Sequence, residues 1–142
     1  MIEDDIAFLI DRLLRAANHG YHVRTKAAKG EKIWPADGLF LVALSDLQPA
    51  TMSALSGLLM RDKSQLTRTA NKLEEKGFLI RATAADDARK AALRLTAKGE
   101  EAVANIRSVT RSTILEMLAP LTQSERKILG ELLQRLAPID PR

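Results

Sequence analysis

Residues 61–96 read RDKSQLTRTANKLEEKGFLIRATAADDARKAALRLT. Through Lys76 the apolar residues return at helical spacing, with Leu66, Ala70 and Leu73 on one side, the side that should face a core. Gly77 stops the helix, since glycine enters the left-handed conformation that follows a helix C-terminus without a Cβ penalty. Beyond it, Phe78–Ala82 and Lys90–Leu95 alternate as strands do, joined by a polar tip, Thr83–Arg89. The stretch predicts a helix, a hairpin and the opening of another helix.

Both ends of that first helix carry signals. Asp62 can accept the free N–H groups of the first turn, and Gln65 stands where a capping box places its partner. At the other end, Phe78 should fold back onto Leu73. Ser64, Arg68, Asn71 and Glu75 project away from the core, flanked by Thr67 and Lys72. A merely solvated face favours Glu and Lys at four-residue spacing. Ser, Thr, Gln, Asn and Arg are the types whose donors and acceptors match base edges and phosphates.

Charge concentrates in the same place. Residues 61–96 hold nine Lys/Arg against five Asp/Glu, and the whole chain holds 22 against 18, so both carry +4 and the remainder is neutral. Such asymmetry is the electrostatic footprint of a nucleic-acid face.

Leu55, Lys63-Ser64, Thr67-Arg68 and Leu73-Glu74-Glu75-Lys76-Gly77, followed by Asp87-Ala88-Arg89, Leu95-Thr96 and Lys98-Gly99, resemble the MarR-type winged helix-turn-helix regulators. The resemblance is dense from about Ala50 to Gly99; in the flanks only the helical pattern agrees. It implies that Arg89 is the wing residue that enters the minor groove and that Asp87 orients it. Three positions depart from the family pattern. Met60 stands where a small residue, often Gly, is usual, Arg61 where an apolar one is, and Ala88 where a second base is common. Arg61 becomes a candidate phosphate contact, and Ala88 should weaken the grip of the wing.

At 142 residues and 46% hydrophobic the chain is one domain's worth with enough apolar material for a core; aromatics make up only 4%. The absence of cysteine removes disulfides, thiolate metal sites and thiol switches. The longest apolar run, Leu39–Leu44, is far too short for a bilayer, and the start MIEDD is acidic where a secretory signal is basic, so a cytoplasmic protein is expected. A sequence pI near 9.6 points to a polyanionic partner.

In chain order, Glu3, Asp4 and Asp5 suit a helix N-terminus, and Ile2, Ile6, Leu9, Ile10, Leu13, Leu14 and Ala17 predict a helix from about Asp4 to about Lys26. Its wide apolar stripe reads either as core burial alone or, the favoured reading, as burial partly against a second subunit. His19 and His22 could share a face, but with no Cys and no further His they read as surface or interface histidines and not as a metal site. Trp34-Pro35 opens a buried second helix that Gln48-Pro49 ends. Thr51 caps a short third helix, Met52–Leu58, with Met52, Leu55 and Leu59 inward. Thr96 caps a long helix to about Leu118, and Thr122 with Glu125 forms a capping box before a last helix to about Leu136.

The fold class expected is mostly α with a small β-hairpin wing: a winged helix-turn-helix lobe over 35–99, with 1–33 and 100–142 as helical dimerisation segments of the same domain. The function expected is a homodimeric, double-stranded-DNA-binding transcriptional regulator, a repressor. Arg68 is the leading base reader, with Ser64, Gln65, Thr67 and Asn71 beside it; Lys63, Lys72 and Lys90 are phosphate contacts. No cofactor, metal or membrane partner is expected. The resemblance also implies a small aromatic or anionic effector, for which Tyr21, His22, Trp34 and Phe40 are candidate lining residues, each equally readable as core or interface. The alternative is a winged-helix module that binds protein and not DNA. Catalysis is not expected, since neither His lies near a nucleophile motif and no glycine-rich phosphate loop occurs.

Overall fold

The computed structural model describes residues 1–27, 33, 35–84 and 87–136; at 26, 27, 35, 83, 84 and 87–91 it describes backbone alone. The elements run α1 (Ile2–Ala27), α2 (Pro35–Leu47), α3 (Met52–Leu59), α4 (Lys63–Glu75), β1 (Leu79–Ala84), β2 (Asp87–Leu95), α5 (Ala97–Met117) and α6 (Gln123–Leu136). The chain divides into two compact units, Glu31–Arg107 and Met1–Gly30 with Ser108–Arg142, so α5 contributes its first half to one and its second half to the other.

The unit of residues 31–107 holds the core. Phe40, Leu41 and Leu44 from α2, Leu55 from α3, Leu66, Ala70 and Leu73 from α4, Leu79 and Leu93 from the hairpin and Val103 from α5 are all buried together. Each large apolar side chain buried in this way contributes about 1.5–3 kcal/mol. Met52 and Leu59 pack on the edge of this cluster, so α3 turns inward the face its spacing predicts. Thr51 caps α3 by accepting from the Ala54 N–H at 3.2 Å.

The hairpin is antiparallel, with Leu79 opposite Leu95 and Arg81 opposite Leu93. Ala50 adds a bridge to its outer side, exchanging backbone hydrogen bonds with Leu93 at 2.7 and 3.1 Å. The strands are longer than the alternation alone predicts. Ala84 pairs with Asp87, and a register irregularity at Thr83/Ala84 carries the ladder on to Thr83 opposite Ala91. Asp87 and Arg89 therefore lie in a strand, where the polar composition of 83–89 predicts a loop: backbone pairing overrides the turn-like side chains. The first helix is likewise longer than expected, beginning at Ile2 with its three acids inside the first turn.

The other unit holds α1, the second half of α5 and α6, with Thr113 as its one buried side chain among the described residues. Gly20 of α1 lies so close to α5 that an added Cβ would meet the Thr113 Cγ2 at 2.7 Å. Arg24 bridges the same two helices, donating to the Thr113 hydroxyl at 3.2 Å and pairing with Glu116. The capping box at α6 forms as its residues predict, the Glu125 carboxylate accepting from the Thr122 N–H at 2.8 Å. These bonds hold the Glu125 carboxyl below the ordinary carboxylate value.

Candidate nucleic-acid interface

α4 is placed by three constraints. Its inner face is buried through Leu66, Ala70 and Leu73. At its start, Asp62 accepts from the Ser64 N–H at 3.4 Å and from the Ser64 hydroxyl at 2.6 Å, and these bonds lower the Asp62 pKa, the hydroxyl contact first. The expected reciprocal bond from Gln65 is not among the described residues' hydrogen bonds; the Asp62 carboxylate instead takes both bonds from Ser64, one residue nearer. At its end, Gly77 sits at φ 84° while its own N–H reaches the Glu74 carbonyl at 3.0 Å and the Phe78 N–H reaches the Leu73 carbonyl at 2.9 Å. This is a Schellman closure, with buried Phe78 against buried Leu73 as its apolar contact.

The turn before α4 departs from ordinary backbone. Met60 closes α3 in the left-handed region at φ 51°, with its side chain 91% exposed. That conformation explains why a residue without Cβ suits the position. Ser56 steadies the turn by donating to the Arg61 carbonyl at 2.7 Å.

The outward face of α4 presents Ser64, Gln65, Thr67, Arg68 and Asn71, all exposed, with Arg61 and Lys63 at its leading end. Several of these groups are already engaged. The Thr67 hydroxyl donates to the Lys63 carbonyl at 2.7 Å. Lys72 forms an ion pair at 2.7 Å with Asp37 of α2, whose side chain is only 6% exposed while that of Lys72 is 45% exposed. Lys72 is thus half withdrawn from the face on which helical spacing puts it. Asp37 was detectable in sequence, because an acid in an otherwise apolar helix needs a partner when buried.

Arg81 is the residue that sequence reasoning passed over. It lies two positions after buried Leu79 and directly across from buried Leu93, on the side of the hairpin that faces α4. From there it donates to the Asn71 Oδ1 at 2.6 Å and approaches the Glu74 carboxylate at 3.9 Å. Period-two alternation from Leu79 would have found it. Two further clamps tie the hairpin down. Gln48 accepts from the Leu95 N–H and donates to Glu100, both at 2.9 Å. Thr96 donates to the Gly77 carbonyl at 2.5 Å and accepts from the Gly99 N–H at 3.1 Å. Of the wing, Asp87, Arg89 and Lys90 have their backbone in β2, and their side chains lie outside the described residues.

The expected effector residues fall in different places. Phe40 is wholly buried in the core, Tyr21 is half-buried on α1 with burial raising its pKa, His22 is exposed, and Trp34 lies outside the described residues. A cleft of about 540 Å³ between α1 and the second half of α5 is lined by Ala16, His19, Gly20, Val23, Arg24, Thr113, Glu116 and Met117. Among the described residues no cluster of His, Cys, Asp or Glu is arranged to hold a metal ion, and no helix is long and apolar enough to cross a membrane.

A short helix and a second helix joined by a tight turn, a hairpin behind them and a bridge at Ala50 define a winged helix-turn-helix lobe. Residues 35–91 match the family model described as the MarR family. In this lobe the chain is similar to the MarR family. Over 86 residues it is 35% identical to a Thauera aromatica protein described as a transcriptional regulatory protein for the hcr operon, covering 61% of this chain and 52% of that one. The chain thus matches about half the length of that relative. Its fold is that of Streptococcus pneumoniae FabT, solved in complex with DNA, with a TM-score of 0.80 at 19% identity over 96% of this chain and 94% of that one. It is also similar to Bordetella bronchiseptica BpsR, whose DNA binding is regulated by 6-hydroxynicotinic acid, with a TM-score of 0.68 at 19% identity over 90% and 97%.

Proposed function

We propose that the chain is a sequence-specific transcriptional regulator that binds double-stranded DNA as a homodimer and represses from a pseudo-palindromic site. The observation that carries this is the outward face of α4: five short or planar hydrogen-bonding side chains, all exposed, on a helix pinned at both ends and backed by a buried core. A helix of this kind enters a major groove, and the hairpin beside it reaches the neighbouring minor groove through Arg89, steadied by Asp87, with Lys90 on phosphate. Two copies related by a two-fold axis would read half-sites about one helical turn apart, roughly 34–36 Å. The exposed apolar residues of α1 and α6 supply the surface for that pairing. A small aromatic or anionic effector releasing the DNA is consistent with the regulation of BpsR by 6-hydroxynicotinic acid.

Selection of bound duplexes from a random pool, followed by titration at two salt concentrations, tests the proposal. A two-fold-symmetric site and an affinity falling steeply with salt are expected. Weak binding that ignores both sequence and salt would leave the protein-binding module as the better reading.

A further inference from the structure

We propose that Asp37 limits the strength of DNA binding by neutralising Lys72, so that one sequence-independent attraction to phosphate is withheld from the recognition face. The inference rests on the DNA-binding reading above and adds to it a positioning residue on α2 that acts through a residue of α4.

Lys72 follows Arg68 by one turn on α4, and both are exposed. It belongs to the basic excess of residues 61–96. In the fold its ammonium lies 2.7 Å from the Asp37 Oδ2. Asp37 is the one buried charged residue among the described residues, and it stands in the first turn of α2, where negative charge is favoured. A carboxylate so placed needs a cation, and Lys72 is the cation that meets it. A charge count over 61–96 overlooks this, because the acid that cancels Lys72 is more than twenty residues upstream.

The consequence concerns charge and not the number of donors. A paired ammonium still has N–H groups to offer, but at a distance the field of two adjacent opposite charges largely cancels. DNA binding gains affinity by releasing counterions in proportion to the cations that neutralise phosphates. A pair of zero net charge releases none. An attraction to phosphate carries no sequence information, so withholding it weakens binding to every duplex and leaves base preference as it is.

Asp37→Asn and the double variant Asp37→Asn/Lys72→Met test this, with affinities for a selected and a random duplex measured between 50 and 200 mM salt and thermal melts run alongside. Asp37→Asn should bind both duplexes more tightly and steepen the salt slope by about one. Its gain should therefore shrink about three- to fourfold across that fourfold salt range. The double variant removes both charges at once and should match the unaltered chain in affinity and slope. It leaves no charge unpaired, so it carries the test whether or not Asp37→Asn is fully stable. A merely structural role for the pair would lower affinity in Asp37→Asn and could not raise it. A double variant whose slope is shallower by about one would overturn the assignment, since Lys72 would then act on phosphate from its paired position. A double variant that keeps the gain of Asp37→Asn would also overturn it, because Asp37 would then act by its own charge alone. An unaltered chain that binds duplex weakly and without salt dependence would sink the DNA reading itself, a result distinct from either failure of the Asp37 assignment.

Discussion

Gly99 and Gly57 show how differently one methyl group is received in this chain. A Cβ on Gly99 would stand 2.0 Å from the Phe78 carbonyl oxygen, a backbone atom that is itself bonded to the Thr96 N–H at 3.1 Å. Neither partner can yield without separating the start of α5 from the end of α4. Gly57, in α3, has nothing within 4 Å of its Cβ position. Gly57→Ala should therefore raise stability by up to about 1 kcal/mol through helix propensity and a less free unfolded chain. Gly99→Ala should lower it by more than about 1–3 kcal/mol, as overpacking does. Thermal melts of the two variants check both signs. Arg68 and Lys63 divide along a different line. Both are exposed, but Arg68 projects from the middle of the outward face and Lys63 opens the helix. Arg68→Ala should cost about 1–3 kcal/mol on the preferred duplex and relax one base position. Lys63→Ala should weaken all duplexes alike and lower the salt slope by about one. Binding isotherms on a selected and a random duplex at several salt concentrations separate them; equal losses from both variants would count against the division.

The seat of α4 is set by ions as well as by core. Asp37 is buried and Lys72 half exposed, so removing one is not equivalent to removing the other. Lys72→Met strands a carboxylate in the interior, while Asp37→Asn leaves an ammonium that can swing to water. Lys72→Met should thus be the more destabilising, by at least about 1 kcal/mol in urea unfolding, and the reverse order would refute the pair as a structural tie. The cap at the start of α4 predicts a pH dependence. Bonds from Ser64 hold the Asp62 carboxyl below its ordinary value of 3.8. Its contribution is complete above that value and fades as pH falls through it toward the lower folded value. Asp62→Asn keeps a capping oxygen and loses the charge, so its denaturation midpoint should fall less steeply between roughly pH 5 and pH 3 than that of the unaltered chain. The helices were legible in sequence because period, caps and stops agreed: Thr51, Asp62, Gly77, Thr96 and Thr122 all stand at the boundaries they signal. The hairpin was less so, since backbone pairing carried β1 to Ala84 and β2 back to Asp87 through residues with turn chemistry. For the candidate site, side-chain types and spacing marked the outward face of α4. What spacing alone could not supply was which partner each side chain takes: Lys72 turning to Asp37, Asn71 to Arg81, and Ser64 to Asp62.

The two units differ in how far each satisfies itself. Every residue of the buried apolar cluster falls between Phe40 and Val103, whereas α6 has no buried residue. α1 exposes Ile2, Ile6, Leu9, Ile10, Leu13 and Leu14, and α6 exposes Ile128, Leu132, Leu133 and Leu136. Helices with so much apolar surface and, among the described residues, no buried side chain lack the burial that holds such elements in place. A second copy supplies it most simply, because a two-fold axis sets the same patch against itself. The chain is therefore expected to sediment as a dimer at micromolar concentration, with a melting temperature that rises with concentration. Leu13→Glu with Leu132→Glu replaces side chains that a lone subunit leaves exposed, so the winged-helix lobe should keep its fold while the dimer dissociates. Affinity for a two-fold-symmetric duplex should then fall far more than affinity for one half-site, since the linkage between two recognition helices is lost. Sedimentation of the unaltered chain as a monomer, with α1 and α6 still helical by hydrogen exchange, would show that these faces are stable without a partner and would remove the basis for two-fold recognition.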